Sequence, residues 1–352
     1  MCAKSAGAGR PVGADDAFAR IVDLLGGCRD LLVLTHARPD GDGLGSMAAL
    51  AACAAAAGKA AHTLVPDRLP TRYRFLFPDE PPAGADRFAP LAARADLIVV
   101  LDTCAKAQLG TVASGVCEYA GKVAVIDHHA TADRIGAVQW LDRSAAATGL
   151  MVAEIIDALG WPVSLAAAEA LTTAVTTDTG WLRFANADAR ALHAVAKWIA
   201  AGVRPDVLYR RLFQNDRPQR LRLMARVLQS LELFCEGRLA AMVIRNRDFD
   251  ETGAMREETE NLVNEALRLA TVETVVLLVE NPDCVRVSLR SRDAVNVARV
   301  AEAFGGGGHP RAAGIRLSGG VDDLKRRVVA ACADAMNAAP SPADAQAAPP
   351  EG

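Results

Sequence analysis

The sequence predicts an α/β protein, with a parallel sheet wrapped by helices in its first half and a smaller mixed α/β domain in its second. Three observations carry this expectation. Residues 31–35 (LLVLT), 97–101 (LIVVL) and 123–126 (VAVI) are continuous apolar runs, as strands buried on both faces of a parallel sheet are. The stretches between them are rich in Ala, the strongest helix former. After Gly202 the texture changes to a polar, arginine-rich segment, followed by a second series of strands and helices.

In chain order, the run 31–35 is the first strand, and residues 44–57 follow as a helix. Runs 97–101 and 123–126 are further strands, and residues 145–159 and 165–175 read as helices packed around them. The segment 204–226 reads as largely helical and connects the halves. Residues 238–244 open the second half as a strand, and a helix is expected over 257–270. Strands 273–280 and 283–290 flank the turn signal Asn281-Pro282-Asp283. A last helix, 294–304, leads into Gly305-Gly306-Gly307-Gly308-His309.

Composition excludes several classes. The chain has 352 residues, which suits about two domains. Hydrophobic residues are 51% and charged residues 23%, so general disorder is excluded. A formal net charge of -3 gives no field for binding long nucleic acid by phosphate neutralisation alone, although a local basic patch stays open. No unbroken apolar stretch reaches ~18 residues, and residues 1–13 lack the apolar core of a secretory signal. The eight cysteines are scattered without a CxxC pair. They read as buried small hydrophobes of a reducing cytoplasm.

The chemistry lies where the strands end. The first run leads into His36 and then Asp40-Gly41-Asp42-Gly43, the second into Asp102, and the third into Asp127-His128-His129. In an open parallel sheet these ends lie side by side and form the ligand crevice. Asp178 closes the helix that begins at 165 and is a fourth contributor. Carboxylates crowded in this way resist ionisation unless cations are present. Two divalent ions balance Asp40, Asp42, Asp102 and Asp178. Oxygen donors with two imidazoles favour Mn²⁺, with Mg²⁺ or Co²⁺ as alternatives. Such a pair, bridged by a carboxylate and a hydroxide that attacks phosphorus, suits phosphate-ester hydrolysis. Taken singly, Asp102 reads more readily as a helix N-cap or turn residue, and the His pair as readily as a surface turn as a ligand. The joint pattern, in order and each after its own element, carries the metal reading.

Four segments are similar to the motifs of the DHH phosphoesterase superfamily: Thr35-His36-Ala37-Arg38-Pro39-Asp40-Gly41-Asp42, Val100-Leu101-Asp102, Asp127-His128-His129 and Thr177-Asp178-Thr179-Gly180. Ser288-Leu289-Arg290-Ser291 and Gly306-Gly307-Gly308-His309-Pro310-Arg311-Ala312-Ala313-Gly314 resemble the DHH-associated C-terminal domain of the first type. The resemblance covers roughly residues 16–335. It implies that one Mn²⁺ takes His36, Asp40 and Asp102. The other would take Asp42, Asp102, His128 and Asp178, with Asp102 bridging. His129 would contact the scissile phosphate and help protonate the leaving group, with Asp127 behind the site. Arg290 and His309 match substrate-holding positions. Gly307 and Gly308 allow close approach of an anion to the backbone, while a plain turn is the alternative from residues alone. Arg183 and Arg292 are weaker candidates for substrate contact.

The expected organisation is a disordered leader (1–14), a metal-binding catalytic domain (15–203), a linker helix (204–230), a DHH-associated substrate domain (231–337) and a disordered tail (338–352). The active site would lie in a cleft between the two domains. The architecture resembles the bifunctional oligoribonuclease and pAp phosphatase group (NrnA-like), which acts on very short RNA, linear dinucleotides and 3′-phosphoadenosine 5′-phosphate. The short tail leaves no room for the OB-type domain of RecJ exonucleases. The GGGGHPRAAG segment argues against family-II pyrophosphatases and exopolyphosphatases. A cyclic-dinucleotide phosphodiesterase, a pyrophosphatase/exopolyphosphatase-type hydrolase and a non-enzymatic nucleotide sensor are the alternatives. No long duplex and no membrane are expected as partners. A homodimer and a cytoplasmic location are expected.

Overall fold

Alternation along the first strands divides their side chains between two cores. The computed structural model describes residues 14–129, 133–292 and 295–338. The chain divides into two compact units, Met1–Asn215 and Asp216–Gly352. Segments 1–14 and 338–352, expected to be disordered, lie outside the described residues apart from Ala14 and Ala338.

The first unit runs α1 (Ala14–Gly27), β1 (Asp30–Thr35), α2 (Gly41–Ala56), β2 (Ala60–Leu64), α3 (Phe88–Arg94), β3 (Leu97–Leu101), α4 (Ala113–Glu118), β4 (Val123–Asp127), β5 (Val138–Leu141), α5 (Thr148–Leu159), α6 (Leu165–Asp178), α7 (Ala189–Ala200) and α8 (Pro205–Phe213). Its five strands are all parallel, in the order β2-β1-β3-β4-β5. Leu31 and Val33 of β1 and Val99 of β3 face a core made with α1, α2, α5, α6 and α7. Leu32, Leu34, Ile98 and Val100 face the opposite core, with Phe88, Ala92 and Val116. A residue shift of one would exchange these faces, so the unbroken apolar runs are what a two-sided sheet needs. The strand order reverses between β1 and β3, and such a reversal opens a crevice outside the carboxyl ends of those strands.

Helix α2 carries no bulk where it meets α6. A Cβ on Gly45 would lie 2.4 Å from the Ala170 carbonyl oxygen and 3.0 Å from Ala174 Cβ. One on Gly41 would lie 2.4 Å from Thr177 Oγ1. The two helices therefore pack closely and antiparallel, which sets the end of α6 beside the start of α2.

The second unit runs α9 (Pro218–Gln229), β6 (Glu232–Phe234), β7 (Leu239–Ile244), α10 (Asn246–Thr252), β8 (Thr274–Glu280), β9 (Val285–Ser291), α11 (Val297–Glu302), β10 (Gly307–His309), β11 (Ala312–Leu317) and α12 (Val321–Ala338). Its sheet is mixed, in the order β10-β11-β9-β8-β7-β6, with only β7 and β8 parallel. One face packs on α11 and α12, the other on α9 and α10.

The structure corrects two local expectations, on the helix over 257–270 and on the cysteines. Residues 257–270 do not form an α-helix. They form two 3₁₀ segments, Arg256–Thr259 and Leu262–Arg268, because Asn261 between them adopts a left-handed φ of 64°. Gly307 to His309, for which a plain turn is the alternative from residues alone, pair with Ala312 to Gly314 as the edge strand. Cysteine burial is also uneven: Cys28, Cys53, Cys104 and Cys332 are buried, but Cys117 is exposed and Cys235 and Cys284 are half-buried. The arginine-rich stretch after Gly202 forms α8 and α9. Leu208 and Leu212 enter the first unit's core, and Leu223 and Val227 the second's. Among the described residues no helix is long and apolar enough to cross a membrane.

Candidate metal centre

Each acid and imidazole leaves its element at the carboxyl edge of the first sheet. His36 follows β1, Asp102 follows β3, Asp127 ends β4, and Asp178 ends α6. Asp40 caps α2, with Oδ1 accepting from the N–H groups of Asp42 and Gly43, both at 3.1 Å. Thus the N-cap reading applies to Asp40 rather than to Asp102. Asp102 has a φ of 63°, a left-handed conformation that costs a non-glycine residue about 1–3 kcal/mol. Its N–H is held by Ile126 O at 3.0 Å. Such strain at a crevice points to a side chain whose direction matters.

The two histidines that face the carboxylates are oriented alike. His36 Nδ1 donates to Ala37 O at 2.8 Å, and His128 Nδ1 donates to Ala145 O at 3.1 Å. This leaves each Nε2 toward the acids. His36 Nε2 lies 3.5 Å from Asp102 Oδ2 and 3.7 Å from Asp40 Oδ1. His128 Nε2 lies 3.6 Å from Asp102 Oδ1, 3.7 Å from Asp42 Oδ2 and 3.8 Å from Asp178 Oδ2. These gaps exceed a normal hydrogen bond, and His128 Nε2 is buried with no hydrogen-bond partner. A lone pair and three carboxylate oxygens converging on one point are a donor set for a cation. The residues therefore fit a metal. The groups His36–Asp40–Asp102 and Asp42–His128–Asp178 each bring three ligand atoms within 4.8 Å of one another, as does Asp102–His128–His129.

Electrostatics agree with that fit. Burial, together with the facing Asp102, Asp178 and Asp40, pushes Asp42 well above the usual carboxylate range. Burial and Asp102 push Asp178 up to about 6, against the pull of His128. Burial pulls His36 down, but the Asp102 and Asp40 carboxylates outweigh it and push the imidazole up to about 11. The cluster thus retains protons that a bound cation would displace.

His129 is placed differently. Asp127 Oδ1 accepts both its N–H at 3.1 Å and its Nδ1 at 2.7 Å. Burial opposes ionisation, yet Asp127 and Asp102 push His129 up to about 9.

The sequence reading missed the residues that hold these side chains. Helix α5 starts after Ala147, which offers no capping side chain. Asp42 supplies the anion instead: Oδ2 accepts from Thr148 N at 2.7 Å, and Oδ1 from Gly149 N at 2.9 Å and Ser46 Oγ at 3.1 Å. Thr148 Oγ1 donates to Asp102 Oδ1 at 3.0 Å. Asn186 Nδ2 donates to Asp178 Oδ2 at 3.3 Å. The available signal was an Ala-capped helix, whose open N–H groups call for an anion from elsewhere.

The remaining candidates make contacts of their own. Arg183 Nε donates to Gly180 O at 2.7 Å. Arg292 donates to the carbonyls of Ala270 and Leu269, both at 3.3 Å, and to Leu267 O. In the second unit, Arg290 is half-buried and donates to Leu289 O at 3.0 Å. Burial pulls its pKa down, and no carboxylate pairs with it among the described residues. Sheet register sets Arg290 and His309 on either side of Ala312, with Gly308 opposite Ala313 and Gly307 opposite Gly314.

Comparison with known proteins extends these observations. Residues 30–176 match the N-terminal domain of the DHH family, and residues 237–337 match the DHHA1 domain. The chain is 32% identical to the bifunctional oligoribonuclease and PAP phosphatase NrnA of Thermus thermophilus, over 88% of this chain and 91% of that protein. An exopolyphosphatase-related protein of Bacteroides fragilis shares the fold with a TM-score of 0.87 at 22% identity, covering 91% of this chain and 96% of that one. Manganese-bound exonuclease RecJ shares it with a TM-score of 0.51 at 18% identity, over 94% and 96%.

Proposed function

The chain belongs to the DHH family, and from that premise we propose that it is a two-cation phosphoesterase of short oligoribonucleotides, linear dinucleotides and 3′-phosphoadenosine 5′-phosphate. Oligoribonuclease and PAP phosphatase are the activities in its Thermus relative's name. The observation that carries the reading is the double reach of Asp102, with Oδ2 3.5 Å from His36 Nε2 and Oδ1 3.6 Å from His128 Nε2. One carboxylate thereby serves two neighbouring donor groups.

We assign His36, Asp40 and Asp102 to one cation, and Asp42, Asp102, His128 and Asp178 to the other. Oxygen donors with two imidazoles favour Mn²⁺. Bound divalent cations lower the pKa of a water and offset charge that develops on a phosphoryl group. The chain's own residues do the rest. Asp127 fixes the His129 ring through Nδ1 and favours its charged form. His129 then stabilises the phosphoryl oxygens and protonates the departing 3′-oxygen. Among the described residues no acid pairs with Arg290, so its guanidinium is assigned to the anionic part of the substrate. His309, Gly307 and Gly308, close to it in register, are assigned the same task.

The test is a manganese-supplemented panel of pAp, a linear pApA dinucleotide, a cyclic dinucleotide, longer oligomers and pyrophosphate. Release of mononucleotide from pApA and of phosphate from pAp is expected. Faster hydrolysis of pyrophosphate than of either, or turnover of none, overturns the proposal.

A further inference from the structure

Between β5 and α5 the chain runs through residues 142–147, and this loop together with the first turn of α5 touches most of the candidate ligands. Ala145 O accepts from His128 Nδ1 at 3.1 Å. Ala146 O accepts from Asn186 Nδ2 at 3.0 Å, and the same amide donates to Asp178 Oδ2 at 3.3 Å. The N–H groups of Thr148 and Gly149 hold Asp42, and Thr148 Oγ1 holds Asp102. These contacts reach Asp42, His128 and Asp178, which form one donor group, and the shared Asp102. None of them reaches His36 or Asp40.

The loop has its own clamp. Asp142 is 2% exposed, and its two oxygens work on different partners. Oδ1 accepts from Ser144 N at 3.0 Å and Ser144 Oγ at 2.5 Å, which turns the chain back on itself. Oδ2 accepts from both Nη atoms of Arg190 on α7 at 3.3 Å. Arg190 in turn is held by Glu154 Oε1 on α5 at 2.7 Å. The backbone N–H of Asp142 donates to Asp127 O at 3.1 Å, tying the clamp to the strand that carries the histidines.

We propose that Asp142, Arg190 and Asn186 are positioning residues that hold loop 142–147 and the first turn of α5 as the support of one cation, the one taken by Asp42, His128 and Asp178, and leave the cation at His36 and Asp40 unaffected. The inference rests on the two-cation reading above. Groups that orient metal ligands typically contribute ~10–100-fold in affinity. Here they contribute it chiefly to one of two ions, because the segment contacts every member of one donor group and, of the other, the shared Asp102 alone.

The experiment is Mn²⁺ titration calorimetry of the full chain at fixed pH, with melting of the metal-free protein alongside. Asn186→Ala removes one amide from an exposed position. Arg190→Lys keeps the charge beside buried Asp142 and removes the fork, which avoids stranding that carboxylate as Arg190→Ala would. Wild type is expected to bind two ions. Each variant is expected to lose ~10–100-fold at one site, with the other site and the metal-free melting temperature near wild type. Unchanged affinity at both sites in both variants overturns the inference. So does an equal loss at both sites accompanied by lower melting, since that is a general structural role. A wild-type chain that binds no Mn²⁺ overturns the metal reading itself.

Discussion

Asp127 Oδ1 receives two hydrogen bonds from His129, one from its backbone and one from Nδ1 at 2.7 Å. The carboxylate is fully buried at the end of β4, and the imidazole is 29% exposed on its side chain. A buried acid therefore orients a half-exposed ring and favours its charged form. Asp127→Asn removes the charge and keeps the shape. We expect kcat to fall ~10²–10⁴-fold, the range of a lost general acid, with both Mn²⁺ ions still bound. In NMR titration of the metal-free protein, His129 is expected to titrate at about 9 in wild type and toward its ordinary value in the variant. An unchanged titration would remove Asp127 from this role.

Stability of the metal-free protein is expected to fall as pH rises. His36 and His129 are raised to about 11 and about 9 in the fold, above the ~6.5 of an unfolded histidine. The folded chain therefore binds more protons across this window, and their contribution is complete below 6.5 and lost toward those values. Melting in EDTA should drop between pH 6.5 and 9. Added Mn²⁺ should stabilise more at the upper end, where fewer protons compete. A melting temperature that climbs over that interval in EDTA contradicts the prediction.

Close packing of α2 on α6 sets Asp42 near Asp178. Gly45→Val forces a branched side chain toward the Ala170 carbonyl, only 2.4 Å from its Cβ. Overpacking of this kind costs about 1–3 kcal/mol, read as a lower urea midpoint, and it spreads the two carboxylates. Loss of Mn²⁺ affinity should accompany the loss of stability. A variant with wild-type midpoint and affinity would show that the helices move apart freely.

Arg290→Ala tests the second unit. If its guanidinium holds a phosphate, KM for pApA should rise by a charged hydrogen bond of about 1.5–3 kcal/mol, roughly 10–100-fold. Mn²⁺ affinity and melting should be unchanged. An unaltered KM assigns the arginine to packing.

Much of the first sheet is local in sequence. A strand buried on both faces needs an unbroken apolar run, and a strand that ends at a crevice hands over at once to polar side chains. Residues 31–35, 97–101 and 123–126 show both signs. The edge strand β2, Ala60–Leu64, shows neither, because at a sheet edge it is only partly buried. The helix expected over 257–270 failed for a local reason: its composition is helical, but Asn261 takes a left-handed conformation between two 3₁₀ segments.

By itself the sequence determined which side chains sit at strand ends, and so which acids and imidazoles meet, because sheet order and strand polarity bring those ends together. Tertiary structure alone decided how they are aimed. Asp42 points where it does because Thr148 and Gly149, more than a hundred residues later in the chain, offer open helix N–H groups. His128 points where it does because Ala145 offers a carbonyl. Backbone donors and acceptors carry no residue identity, so their placement is written only in the folded chain.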